Sequence, residues 1–93
     1  MEVIRQHRDA ILQIAARHGA SNVRVFGSVA RGSDSPESDV DILVEFEHGR
    51  DYFDQAELLG ELRELLGREV DVVNASELRA SIRDEVLSQA IAV

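Results

Sequence analysis

The chain has 93 residues, which is enough for one small domain with a single modest core. It contains no cysteine, and this excludes a disulfide framework, a thiolate nucleophile and a cysteine-based zinc site. The formal net charge of −8 argues against direct binding of nucleic acid and against a polymerase role, because nucleic-acid phosphates require a basic surface.

Hydrophobic periodicity predicts the elements of the N-terminal third. Apolar residues at helical spacing indicate a helix over residues 2–18, which Gly19 is suited to end. A strand is expected over 22–26. A short helical turn over 27–32 and a polar loop over 33–38 follow it.

The remainder of the chain alternates strands and helices. A second strand is predicted over 40–46, followed by a helix over 51–66 with an aspartate cap, a third strand over 69–73 and a last helix over 77–90. The apolar residues of the long helix are expected in the core: Phe53, Ala56, Leu58, Leu59, Leu62, Leu65 and Leu66.

This order predicts an α/β (α+β) fold with a small mixed β-sheet flanked by helices, in a single domain over residues 1–93. The second and third strands, joined by a helix, should be parallel. Alternation along both strands then places Asp39, Asp41 and Asp71 together on the face opposite the helix. The first strand must be antiparallel to the second if Gly27 is to meet Asp39.

The carboxylates allow two interpretations. Asp39 and Asp41 could be the solvated face of a half-buried strand. However, aspartate is a poor strand former, and close like charges are costly unless a cation neutralises them. Carboxylate oxygens are the ligands that magnesium prefers. We therefore expect Asp39, Asp41 and Asp71 to form a metal site.

The segment Gly27–Ser28 has the character of a phosphate-binding turn, although such residues also form ordinary turns. Gly27 lets the backbone approach a bound group, and Ser28 stands where a short helix begins, with free N–H groups. Arg31 either holds the loop through a salt bridge or contacts a bound phosphate. The predicted nucleotide-binding residues are Gly27, Ser28 and Arg31.

The combined motif resembles the nucleotidyltransferase superfamily related to DNA polymerase β, and its small size resembles the minimal nucleotidyltransferases of prokaryotes. The matching residues are Gly27–Ser28, Ala30–Gly32, Ser38–Asp39, Asp41 and Leu43–Val44. The resemblance implies the polymerase β-like nucleotidyltransferase fold, ATP as substrate and a third carboxylate on a later strand.

With these residues we expect transfer of a nucleotidyl group assisted by two magnesium ions about 3.5–4 Å apart. Asp39 and Asp41 would hold magnesium on the triphosphate. Asp71 would complete the second site and accept the proton of the attacking hydroxyl.

The resemblance also implies a partner. Minimal nucleotidyltransferases act as antitoxins with HEPN-domain toxins, and some transfer AMP to a tyrosine of the toxin, so we expect a hetero-oligomer of this kind. A non-catalytic antitoxin, a nucleotide-binding regulator and transfer to a small-molecule hydroxyl remain alternatives. The apolar residues Leu87, Ile91 and Val93 are expected to form an exposed docking patch.

No apolar run approaches the length of a signal peptide or a membrane span. A cytoplasmic location without membrane contact is therefore the default expectation.

Overall fold

A four-stranded mixed sheet organises the computed structural model, which describes residues 1–93. The strands are β1 (Ala20–Phe26), β2 (Val40–Phe46), β3 (Val70–Asn74) and β4 (Ile91–Ala92). Their order across the sheet is β3-β2-β1-β4. β2 pairs parallel with β3, and β1 pairs antiparallel with β2 and β4. The expected directions of the first three strands are confirmed.

Five α-helices and a short 3₁₀ turn accompany the sheet, and none of the helices combines the length and apolar character needed to cross a bilayer. They are α1 (Glu2–Gln6), α2 (Arg8–Arg17), α3 (Gly27–Arg31), α4 (Tyr52–Leu66), the 3₁₀ turn (Ala75–Glu77) and α5 (Ala80–Gln89).

The main core lies between one face of the sheet and the helices α2 and α4. The predicted alternation is confirmed: Val40, Ile42 and Val44 of β2 are fully buried in this core. Val70 and Val72 of β3 join them. The odd-numbered residues of both strands therefore lie on the other face, where the 3₁₀ turn and α5 give only partial cover.

The first helix is not continuous as predicted but breaks at His7, whose φ and ψ are −111° and 16°. The His7 ring atom Nδ1 lies 3.0 Å from the carbonyl oxygen of Val3, which is the oxygen that the His7 amide would use in an α-helix. The amide of His7 bonds instead to the oxygen of Ile4, at 3.2 Å. A side chain competing for a backbone acceptor explains the break.

The core prediction for the long helix is partly wrong. Leu58, Leu62 and Leu66 are buried, whereas Phe53 is 78% exposed and Ala56 is exposed. At about 100° per residue, Phe53 lies roughly 140° around the helix from Leu58. The buried stripe follows the four-residue spacing of the leucines, and the first turn therefore presents its aromatic side chain to solvent.

The chain end was predicted as helix and exposed patch, but its last residues form β4. Ile91 pairs with Val25, and the amide of Val93 donates to the oxygen of Val23 at 3.0 Å. Val93 packs against the core, while Leu87 and Ile91 remain partly exposed on two different elements. The expected patch is therefore partly wrong: Leu87 and Ile91 are exposed as predicted, whereas Val93 is not.

The N-terminal cap of α4 provides a test of local stability. The Asp51 side chain accepts hydrogen bonds from the amides of Phe53 and Asp54, and the Asp54 carboxylate accepts one from the amide of Asp51. Asp51→Ala should lower the free energy of unfolding by about 1 kcal/mol, because it removes this cap. Urea unfolding followed by circular dichroism would measure the loss.

The matched control is Asp84→Ala, at an exposed position within α5. Its effect should stay within about 0.5 kcal/mol. Equal losses in the two variants would contradict the capping role of Asp51.

Candidate active site

Strand pairing brings two of the three aspartates side by side. Asp41 of β2 is the direct partner of Asp71 in the parallel pair, where adjacent strands lie about 4.8 Å apart. On its other side Asp41 is opposite Phe26, the last residue of β1, so that Gly27 follows at the same edge. Asp39 is exposed and comes just before β2. The structure therefore brings Asp41 and Asp71 together next to the glycine turn, as predicted.

The negative charges of Asp39, Asp41 and Asp71 lie close enough to repel one another. Burial raises the pKa of Asp41 above its ordinary value of 3.8, and the negative charges of Asp71 and Asp39 raise it further. Arg31 acts in the opposite direction and is the one cation with this effect. None of the three carboxylates takes part in a hydrogen bond or an ion pair within the chain. A bound cation would relieve this repulsion.

A glycine is required at position 27 for two reasons, its backbone conformation and the nearby Asp41 side chain. Its φ is +72°, in the left-handed region, and a Cβ atom there would collide with the carboxylate Oδ2 of Asp41. Gly32 at the other end of α3 has a similar φ of +73° but open space around it. We expected Gly27 to leave room for a bound group; the structure adds that it leaves room for the Asp41 carboxylate.

The helix α3 starts at this glycine without a side-chain cap. The amide groups of its first turn therefore have no side-chain partner, and the helix starts at the edge of the sheet where Asp41 lies. Arg31, in the last turn, is exposed and forms no ion pair; its Nη1 lies 3.5 Å from the side-chain oxygen of Gln89. The loop salt bridge considered from the sequence is not formed.

The side chains of Asp39, Asp41 and Asp71 are chemically suited to a hard divalent cation, because they are carboxylates that no other group of the protein occupies. As the side chains stand, however, no three of the acidic or histidine side chains are gathered tightly enough to hold a metal ion. Asp41 and Asp71 are adjacent, and Asp39 lies outside the strand pairing. Assignment of the three residues as metal ligands therefore stays a prediction.

The aspartates lie on an open surface rather than in a closed pocket. None of the four surface clefts is lined by Asp39, Asp41 or Asp71. A cleft of about 360 Å³ lies further along β2, between Glu45 and Leu87 of α5. The carboxylate edge is therefore accessible to a large molecule.

Arg68 contacts the loop that precedes Asp39, a role that nothing in the sequence singled out. Its guanidinium donates to the carbonyl oxygens of Ser35 and Ser38 and pairs with Asp34. Arg68 lies between the end of α4 and the start of β3, and the hydrophobic pattern of the sequence does not predict the contacts of a residue in such a connection. Only its position next to a buried strand could have drawn attention to it.

The raised pKa of Asp41 predicts a pH-dependent stability. The folded state holds the Asp41 proton more tightly than the unfolded state, so ionisation destabilises the fold as the pH rises above 3.8 and through the folded-state pKa. In the presence of a chelator, Asp41→Asn should therefore melt at a higher temperature than the wild type at neutral pH. Thermal melts over a pH series should show this difference closing in acid.

Glu45→Gln is the control, on the same face of β2 but paired with Arg24 at 3.3 Å. It should bring no stabilisation. A stabilisation by Asp41→Asn that does not vary with pH would contradict the electrostatic explanation.

The chain is similar in sequence to known proteins. The family model for the nucleotidyltransferase domain matches residues 4–93. The protein adenylyltransferase MntA of Thermococcus cleftensis is 40% identical over 81 residues, which cover 87% of this chain and 82% of that protein. A Methanocaldococcus jannaschii protein, provisionally named a protein adenylyltransferase, is 38% identical over 90 residues, 97% of each chain.

Solved structures show the same relationship. One described provisionally as a minimal nucleotidyltransferase is 49% identical, with a TM-score of 0.90 over 99% of this chain and 94% of that one. A toxin–antitoxin crystal structure with AMP-PNP shares the fold at 23% identity, with a TM-score of 0.78 over 90% of this chain and 69% of that one. The expected fold is confirmed, and the chain belongs to the nucleotidyltransferase family.

Proposed function

We propose that this nucleotidyltransferase transfers AMP from ATP to a hydroxyl group, that of a tyrosine, on a partner HEPN toxin, and so acts as its antitoxin. The observation that carries the proposal is the open edge where Asp41 and Asp71 lie side by side next to the start of α3. The names of the relatives, protein adenylyltransferases among them, support AMP as the transferred group.

In this proposal the start of α3 binds the triphosphate. Gly27 and Ser28 supply backbone N–H groups that have no capping side chain, and the Ser28 hydroxyl adds a donor. Arg31 is exposed, free of ion pairs and close enough to affect Asp41, which suits a cation that contacts the phosphates. These three residues orient the nucleotide with its α-phosphorus toward the aspartates.

Asp39, Asp41 and Asp71 would hold two magnesium ions, which neutralise the phosphates and lower the pKa of the attacking hydroxyl. The acceptor oxygen forms a bond to the α-phosphorus, the bond to the β-phosphate oxygen breaks, and pyrophosphate leaves. Asp71 takes the proton of the hydroxyl. The absence of any hydrogen bond to Asp71 within the chain leaves its carboxylate free for this role.

The acceptor is proposed to be a protein because the aspartates occupy an open surface. A small acceptor would need an enclosed site to fix its orientation, and none of the clefts includes the aspartates. The net charge of −8 suits a basic, RNA-cleaving partner, whose encounter it would accelerate. The solved relatives that are toxin–antitoxin complexes support the same kind of assembly.

Co-expression with a candidate HEPN-domain toxin should yield a complex whose partner gains the mass of AMP. Asp41→Asn and Asp39→Asn should each reduce the transfer rate by at least about a hundredfold, because each removes a charged group at the reacting phosphate. Intact-mass spectrometry of the partner after incubation with ATP and magnesium is the measurement.

Glu45→Gln, on the same face of β2, should keep the wild-type rate. A stable complex without added AMP would favour an antitoxin that acts by binding alone. Absence of a complex would favour a small-molecule acceptor.

The glycines at the two ends of α3, Gly27 and Gly32, provide a matched pair of variants that test the nucleotide site. Gly27→Ala and Gly32→Ala should both lose stability, because both positions have a positive φ. Only Gly27→Ala should also weaken AMP-PNP binding and transfer, by about tenfold or more, since its Cβ displaces the Asp41 carboxylate. Ser28→Ala should have a smaller effect than Gly27→Ala, because the backbone donors remain.

Isothermal titration with AMP-PNP and magnesium, performed well below each melting temperature, separates binding from stability. Equal nucleotide affinity in the Gly27 and Gly32 variants would remove Gly27 from the site.

A further inference from the structure

We infer that Arg68 is a positioning residue for Asp39: it fixes the loop that delivers this aspartate to the site and sets its separation from Asp71. The inference rests on the proposed function of the three aspartates. Arg68 precedes β3, and its side chain is only 13% exposed. An arginine so deeply placed in a small acidic protein requires specific partners.

The partners all lie in the loop before Asp39. Arg68 Nη2 donates to the carbonyl oxygens of Ser35 and Ser38, each at 2.8 Å. Its Nη1 lies 3.3 Å from the carboxylate of Asp34. The oxygen of Ser38 belongs to the peptide group that joins Ser38 to Asp39, so the guanidinium fixes the orientation of that peptide.

The peptide group on the other side of Asp39 is fixed by Glu69, the residue that follows Arg68. The amide of Val40 donates to the carbonyl oxygen of Glu69 at 2.9 Å. Arg68 and Glu69 thus hold both peptides that flank Asp39, and the same segment leads directly into β3 and Asp71. Since the Asp39 side chain has no partner of its own, only this segment limits where its carboxylate can lie relative to Asp71.

Arg68 acts through its contacts with the loop, one of which is the ion pair with Asp34, and not through a direct charge interaction with Asp41. Arg31, and not Arg68, is the cation that opposes the raised pKa of Asp41. The Nε atom of Arg68 is buried without a partner, which is unfavourable for an N–H group. The contacts with the loop hold the guanidinium in this position. Nη2 donates to the two carbonyls while Nη1 pairs with Asp34, and a lysine, with one nitrogen, cannot reproduce this planar arrangement of two donor nitrogens.

The test compares Arg68→Ala and Arg68→Lys with Arg63→Ala. Arg63 is an exposed arginine of α4 that pairs with Glu69 at 3.2 Å and does not contact the loop. Titration with Mn²⁺, alone and with AMP-PNP, should show a loss of about tenfold or more in Mn²⁺ affinity for Arg68→Ala. The loss for Arg68→Lys should be intermediate, and Arg63→Ala should match the wild type.

Hydrogen exchange provides a second readout that is independent of metal and activity. The amide of Ser38, which bonds to the oxygen of Ser35 at 2.9 Å, should exchange faster in Arg68→Ala than in Arg63→Ala. Faster exchange with unchanged Mn²⁺ affinity would overturn the inference, because the loop would then be ordered without any effect on the site.

Three further outcomes are decisive. If Arg68→Ala does not fold, wild-type Mn²⁺ affinity in Arg68→Lys would overturn the positioning role, and a reduced affinity would support it. If the wild type itself binds neither Mn²⁺ nor AMP-PNP, the proposed function fails and this inference fails with it. Binding by the wild type and by Arg68→Ala with equal affinity overturns the inference alone.

Discussion

The candidate site depends on the parallel pairing of β2 with β3, which holds Asp41 and Asp71 side by side against their mutual repulsion. The side chains themselves contribute nothing to this arrangement, since neither carboxylate has a partner. The backbone ladder and the valines of the opposite face supply the stabilisation, and each buried valine contributes on the order of 1.5–3 kcal/mol. The chemistry on one face is therefore supported by packing on the other.

Much of this arrangement could be predicted from local patterns. The alternation of Val40 with Asp41, and of Val70 with Asp71, sets the faces of both strands, and a helix between them requires parallel pairing. The antiparallel direction of the first strand could be predicted on the condition that the glycine turn meets Asp39. The family resemblance agreed with these deductions, and the comparisons confirmed the fold.

The features that could not be predicted depend on single side-chain contacts or on the rotation of a helix about its axis. Phe53 is exposed because the side of α4 that meets the sheet carries Leu58, Leu62 and Leu66. The spacing of apolar residues alone does not show which of them face the sheet. The break at His7 arises from one ring nitrogen and one carbonyl oxygen. The contacts of Arg68 with the 35–38 loop are tertiary, and no sequence pattern encodes them. The roles of the individual site residues remain predictions for experiment.

The short strand β4 has a consequence for how the molecule is made. Until residues 91–92 pair with Arg24 and Val25, the outer edge of β1 exposes unpaired N–H and C=O groups, a template for another chain's strand. During synthesis this edge stays open after the other three strands have emerged, because β4 is the last of the four in chain order. Newly made chains should therefore be most prone to associate with one another in that interval, and a partner that binds early would shield them.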